Sequence, residues 1–354
     1  SWVIIVTNST FTLSKCRTFL VKSGILNSVH TFATGSERGL CSLIFLFSLI
    51  TLSLLIFFFF HKANQSSLNN FFWLSKETSI IINNWFMMYF LSVVLVGTVY
   101  PIFLDVLTSE KISVGPPFYH KLIIPFLIPF LLIMAIGPKL KWIKSNLEDK
   151  VYLISLLFIS FLLSFLIVKN FNSNFLINTI LISSALYLFF VTLRDFFIMK
   201  KNNISQNIAH FGFSLLILSI LFNSLFSTEI ITNLKVGETF ETSTTKIIFK
   251  NINQKKEKNY KSVVGNFSIQ NSNGKIDNLS PELRIYNQPN IVTSEADIKT
   301  TLLSDKFLVI NLVQNQDYFN VRYQVKPFML WIWLSVLLIS LGALISLFKK
   351  EYEK

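Results

Sequence analysis

Four histidines (His30, His61, His120 and His210) and two cysteines (Cys16 and Cys41) are the residues of this chain best suited to metal or redox chemistry. His210 stands out because it is written into an apolar stretch, Ile208–Phe226. A neutral imidazole in hydrocarbon leaves ring nitrogens wanting partners, at a cost of roughly a few kcal/mol, and ionisable groups inside spans are by default functional candidates. Metal or haem ligation is one reading of it. The other is an interfacial histidine bonded to water or a carbonyl, because Lys200, Lys201, Asn202 and Asn203 lie only about two turns upstream. The cysteines form no Cys-x-x-Cys pair, which excludes the usual thiol-disulfide motif and a c-type haem attachment site. Walker loops, zincin motifs, nucleophile elbows and dinucleotide fingerprints are also missing, so hydrolase and kinase chemistry have no foothold.

The elements that must position these residues are membrane spans. Apolar residues make up 52% of the chain, a share that belongs to a multispanning membrane protein. Seven spans are clear: Leu40–Phe60, Ile80–Phe103, Leu122–Ile136, Val151–Val168, Phe175–Met199, Ile208–Phe226 and Phe328–Phe348. They sit around the roughly 20 residues a bilayer core requires, the third being short. An eighth, from Ser1 towards Val21, is left open because Thr7, Asn8, Ser9, Lys15 and Arg17 interrupt it. No cleavable signal peptide is evident, and a chain that opens on Ser1 is expected to be processed or cut from a longer product.

The net charge of +13 invites a nucleic-acid reading, but its distribution argues against one. Lys62 and Lys76, then Lys139, Lys141, Lys144 and Lys150, then Lys200 and Lys201, then Lys349, Lys350 and Lys354 occupy alternate connections, the positive-inside pattern. Six spans separate His30 from Glu229, which puts both on the opposite, outer face. The polar segment after Phe226 holds 13 basic and 10 acidic residues, so it carries no basic stripe. Within it Thr245–Lys250, Ser262–Ile269, Glu282–Tyr286, Phe307–Leu312 and Tyr318–Val325 alternate as strands, with turns at Asn271–Gly274 and around Pro289. The expected fold class is an all-α polytopic membrane protein with a small β-rich extramembrane domain before the last span. Its expected parts are 1–39 (the outer segment with His30), 40–226 (six spans), 227–327 (the β-rich domain) and 328–354. Between the second and third spans, Lys111–Pro117 reads as a stiff loop bent at Gly115 and fixed by Pro116 and Pro117.

The segment Thr18–Thr34, which contains His30, followed by Glu37-Arg38-Gly39, resembles the stretch around the second external histidine of the CcmF family, the haem lyases of cytochrome c maturation. Further blocks follow in the family order: Ser75-Lys76-Glu77 with Asn83-Asn84, Gly97-Thr98-Val99-Tyr100-Pro101, Lys111–Pro117, Ala209-His210-Phe211-Gly212, and Tyr323–Trp333 around Lys326-Pro327-Phe328. The resemblance covers nearly the whole chain but only the carboxy-terminal half of a full-length member. It implies a multi-chain cytochrome c haem lyase, as in mitochondrial forms split among several genes.

By this resemblance His30 is the second external ligand, holding the transient substrate haem delivered by CcmE, and His210 is the second membrane ligand of a resident b-type haem. The partner implied is an amino-terminal CcmF chain that supplies the tryptophan-rich segment and the remaining histidine ligands, so the haem b site is shared between chains. Apocytochrome c with its Cys-x-x-Cys-His segment, a thiol-reducing partner and the lipid bilayer complete the set, with no nucleic acid. His61, at the inner end of the first clear span, and His120, where the family has asparagine, read as interfacial.

Abundant Lys, Phe, Ile and Asn with only five arginines fits an AT-rich, for instance organellar, genome. The implied location is the mitochondrial inner membrane with the β-domain facing the intermembrane space, the alternative being a bacterial inner membrane with that domain facing the periplasm. The rival function is a non-catalytic membrane subunit of a respiratory or biogenesis assembly that keeps the fold without haem transfer. The β-domain reads either as a docking surface for apocytochrome or a partner, or as a scaffold over the outer loops.

Overall fold

Uninterrupted apolar runs become helices and the alternating stretch after Phe226 becomes strands in the computed structural model of the chain. The structure describes residues 12, 36–60, 72–108, 112, 114–146, 149–171, 174–198, 204–271, 274, 276–288, 291–313 and 317–348. The possible span near the amino terminus, His30, His61 and Cys16 lie outside these residues. Six of the helices are long and apolar enough to cross a membrane, and a further helix carries the shorter apolar run Leu43–Phe59. The chain is thus a polytopic helical membrane protein with a β-rich domain before its last helix. It divides into two units, residues 1–130 with 136–147, and residues 131–135 with 148–354.

The first unit contains α1 (Ser36–Phe60), α2 (Lys76–Thr108) and most of α3 (Pro116–Ile136), followed by a 3-10 turn at Gly137–Lys139. Pro116 and Pro117 belong to helix and not to the loop expected of them, and they lengthen the third span. The reason is that proline is well suited to the first turn, where its missing N–H has no intrahelical acceptor. Helices α2 and α3 meet through aromatic rings. Tyr89 donates its hydroxyl to the Leu122 carbonyl at 3.0 Å, and its ring lies 4.1 Å from that of Phe126. A Cβ on Gly97 would stand 2.6 Å from the Tyr119 hydroxyl, so only glycine fits beside that ring.

The Ser75-Lys76-Glu77 block ties the start of α2 to the segment after α3. Buried Ser75 accepts the Thr78 N–H, and both Glu77 oxygens accept the Ile143 N–H at 3.0 Å. Ile143 is held at φ 66°, a conformation a β-branched residue adopts only when its surroundings impose it. Lys76 lies over the Trp142 ring.

The second unit contains α4 (Lys150–Val168), α5 (Phe175–Phe197), α6 (Ile204–Phe226), ten strands and α7 (Met329–Phe348). Small hydroxyl side chains link the helices, as expected where lipid removes the hydrophobic drive between them. Ser164 donates to the Thr179 carbonyl at 2.7 Å, and the Thr192 and Ser214 hydroxyls pair at 2.8 Å.

The strands form two sheets, β1-β10-β9-β8 and β2-β3-β4-β6-β7, with β5 paired to β4. Their ranges are β1 Thr228–Leu234, β2 Thr239–Glu241, β3 Thr245–Lys256, β4 Tyr260–Asn271, β5 Ile276–Leu279, β6 Glu282–Tyr286, β7 Val292–Glu295, β8 Asp297–Thr300, β9 Ser304–Leu312 and β10 Phe319–Pro327. The five expected strands are all present. Of the other five, β2, β5, β7 and β8 are too short for alternation to be read, and β1 leaves α6 almost without a loop. Alternate residues such as Ile247, Phe249, Phe267, Leu308, Ile310 and Tyr323 pack into one core, with the Phe249 and Phe267 rings stacked at 4.2 Å.

Inside this core lies a carboxylate. Asp277 on β5 has a side chain only 1% exposed, and it receives Lys299 from β8 at 2.7 Å and Lys306 from β9. Those two lysines sit directly opposite each other in the β8–β9 ladder, where like charges repel, and Asp277 of the other sheet neutralises the pair. Burial pushes the Asp277 carboxyl up, but the hydrogen bonds and charges of Lys299 and Lys306 outweigh it and hold the group below the usual carboxylate range. Tyr323 is pushed up to about 12 by burial and by the Asp277 charge, so it stays neutral.

Asp277→Asn strands Lys306 and is expected to cost about 3 kcal/mol of sandwich stability at neutral pH. The contribution of Asp277 is complete above the ordinary carboxylate pKa of about 4 and is lost as pH falls through the lowered folded value. Denaturation followed by the β-sheet circular dichroism of the wild type and the variant should therefore separate at pH 7 and converge in strong acid.

Candidate functional site

Helix α6 begins at Ile204, four residues earlier than hydropathy alone places it, because the polar run Ser205-Gln206-Asn207 continues the helix. This sets His210 about 9 Å along the helix from its first residue at 1.5 Å per residue. Two faces of α6 are committed to neighbours. On one, a Cβ at Gly212 would stand 3.0 Å from the Ile339 backbone nitrogen, and a Cβ at Gly342 of α7 would stand 2.8 Å from that of Ala209. The α6 and α7 backbones therefore approach as closely as glycine allows.

The other face meets α5. Asn207 donates to the Asp195 carbonyl at 3.0 Å, the Phe211 ring lies 5.7 Å from Phe189 and 5.1 Å from Phe196, and Ser214 pairs with Thr192. At about 100° per residue, His210 is turned some 100° from Ala209 and 160° from Gly212, and only about 40° from Ser214. The imidazole therefore leaves the helix away from α7 and beside the α5 contact.

His210 is half-buried and makes no hydrogen bond among the described residues. The charged group that acts on it is the Asp195 carboxylate of α5. The polar neighbours Asn207 and Ser214 spend their hydrogen bonds on α5 and leave the ring to water or to a ligand. An imidazole with no hydrogen-bond partner among the described residues fits the chemistry of a haem ligand, since neutral imidazole nitrogen is a good donor to iron. Among the described residues no three His, Cys, Asp or Glu side chains gather into a bare-metal site.

His120 is exposed in the first turns of α3, and Cys41 is an exposed free thiol. His30 and His61 fall outside the described residues. What sequence reasoning missed is the dependence on Gly212 and Gly342. The glycine of the Ala209-His210-Phe211-Gly212 block was the available signal, and Gly342, embedded in Leu341-Gly342-Ala343, gave none.

The first polar anchor beyond this site is at the opposite end of α6. Asn223 donates to the Pro327 carbonyl at 2.5 Å, and the Phe222 and Phe328 rings lie 5.5 Å apart, so the end of α6 and the start of α7 are joined where the sandwich enters and leaves. Gly212→Leu should force α6 and α7 apart and cost about 1–3 kcal/mol. A lowered melting temperature of the detergent-solubilised protein is the measurement, with Val336→Leu on exposed α7 surface as the neutral control.

Residues 225–327 match the family model described as the CcmF C-terminal beta-sandwich. The whole chain is 28% identical over 370 residues to the cytochrome c-type biogenesis protein CcmF of Pseudomonas fluorescens, covering 55% of that protein. It is 28% identical over 363 residues to the protein of the same name in Escherichia coli K12, covering 56% of it. Among solved structures it is similar to a cytochrome c haem lyase CcmF, with a TM-score of 0.66 and 20% identity, over 91% of this chain and 52% of that one. That likeness establishes a shared fold. The chain spans about half the length of the curated relatives it matches.

Proposed function

Since the chain belongs to the CcmF family, as the counterpart of the carboxy-terminal half of its full-length members, we propose that it is one subunit of a multi-chain cytochrome c haem lyase. Its place is an energy-transducing inner membrane. The organellar composition favours the mitochondrial one, with the β-sandwich on the intermembrane-space side, and bacterial relatives keep the periplasmic arrangement as the alternative. The observation that carries this reading is His210, a half-buried imidazole with no hydrogen-bond partner among the described residues, in a block that resembles the family's membrane ligand.

In this reading His30 holds the substrate haem brought by CcmE. An imidazole nitrogen binds iron well and exchanges when the histidine of the Cys-x-x-Cys-His segment of apocytochrome c arrives. Each substrate thiol then adds across one vinyl double bond, sulfur to one carbon and the proton to the other, with no net oxidation. The thiols must arrive reduced, which requires a thiol-reducing partner. His210 would hold a resident b-type haem together with residues of an amino-terminal CcmF chain, which would also supply the tryptophan-rich segment. A haem bound there would supply electron-transfer chemistry.

Purification of the chain with its native partners and a reduced-minus-oxidised spectrum tests this reading. His210→Ala is expected to abolish the b-type absorbance of the assembled complex, and an unchanged spectrum refutes the ligand assignment. His30→Ala is expected to leave that absorbance intact and to reduce haem transfer from loaded CcmE to apocytochrome. The second reading is a non-catalytic membrane subunit that keeps the fold; a partner-complete complex with no haem spectrum would establish it.

A further inference from the structure

The β8–β9 hairpin turns through Thr301-Leu302-Leu303-Ser304. Thr301 donates its N–H to the Ser304 carbonyl at 3.0 Å and accepts the Ser304 N–H on its hydroxyl at 3.1 Å, which leaves the two leucines at the tip. Leu302 and Leu303 are 71% and 67% exposed. Turn chemistry does not ask for them. Two-residue hairpin loops favour Gly, Asn and Asp, and a leucine pair at such a tip leaves apolar surface in water.

The position of the tip supplies the reason. The Trp331 indole N–H donates to the Leu302 carbonyl at 2.9 Å, and the Phe328 N–H donates to the Leu303 carbonyl at 2.8 Å. Trp331 lies in the first turn of α7, so the tip is fastened at the depth where that helix enters the bilayer, beside Trp331 and the 64%-exposed Trp333. Tryptophan at the ends of spans marks the headgroup level. Phe328, held at φ 60° between strand and helix, makes the bend that brings its N–H onto the tip.

The opposite end of the sandwich has the opposite character. Strand β4 runs from Tyr260 to Asn271, and its residue Ile269 faces Asp277, whose carboxylate holds Lys299 two residues before the Thr301 turn. Tyr260 is therefore about 30 Å away at 3.3 Å per residue. The β3–β4 hairpin there turns through Glu257-Lys258-Asn259-Tyr260, with Lys255, Lys256 and Lys261 flanking it in the strands, a charged tip suited to water.

We propose that Leu302 and Leu303 insert into the outer leaflet at the boundary of headgroups and acyl chains. The sandwich then rests on the bilayer at three points: the end of α6, the start of α7 and this hairpin. The partner is the lipid surface itself, and the inference requires only that α7 crosses the membrane. It is independent of any haem role.

The test is nitroxide labelling of Leu302→Cys and, separately, Leu303→Cys in the reconstituted full complex, with Cys16→Ser and Cys41→Ser, and Lys258→Cys as the aqueous reference. Collision rates are measured with oxygen, which partitions into lipid, and with a nickel chelate, which stays in water. The labels at 302 and 303 are expected to favour oxygen and the label at 258 the chelate. A label at 302 and 303 that behaves like that at 258 overturns the proposal. So does shielding from both reagents, which would mean that a protein covers the tip.

Discussion

At Gly212 and Gly342 the backbones of α6 and α7 run so close that any added Cβ meets main-chain atoms within about 3 Å. The β-sandwich is inserted between these two helices, so their contact fixes both of its attachment points. Just beyond the membrane the pairing continues in another form: β1 leaves α6 and pairs antiparallel with β10, which leads into α7. A helix pair becomes a strand pair without losing its partner. Closing the long excursion between Phe226 and Met329 consequently needs little beyond these two neighbouring contacts, and the Asn223 bond to the Pro327 carbonyl seals the junction.

The same contact decides where His210 can look. With Ala209 and Gly212 occupied by α7 and with Asn207, Phe211 and Ser214 occupied by α5, the ring has one sector left. Several hydroxyls in these helices bond to backbone carbonyls, as Ser164 does to Thr179 and Thr192 to Leu188, whereas the buried Ser160 hydroxyl has no partner among the described residues. The His210 imidazole likewise makes no hydrogen bond among the described residues, and unlike a hydroxyl it is a nitrogen donor that iron accepts readily.

Long-period features of the sequence were easy to read and short or three-dimensional ones were not. The spans, the β-rich segment before the last helix and the isolation of His210 follow from windows of ten to twenty residues. The first turn of α3 was missed because Gly115-Pro116-Pro117 reads equally as a stiff loop, and only the continuing helix shows that the prolines occupy its start. Asp277, Lys299 and Lys306 could not be anticipated. Their cluster joins three strands across two sheets, and alternation would have assigned an inward Asp to an error of register. Nor does the sequence indicate that Glu77 grips Ile143, 66 residues away.

Distance along α6 sets the depth of His210. From His210 to Phe226, where the sandwich begins, sixteen residues at 1.5 Å each amount to about 24 Å, most of a hydrocarbon core roughly 30 Å thick. His210 therefore lies far from the face that carries the sandwich. A group held at its imidazole would be out of reach of a water-soluble molecule docked on the sandwich, so the two ends of α6 cannot serve one and the same binding event.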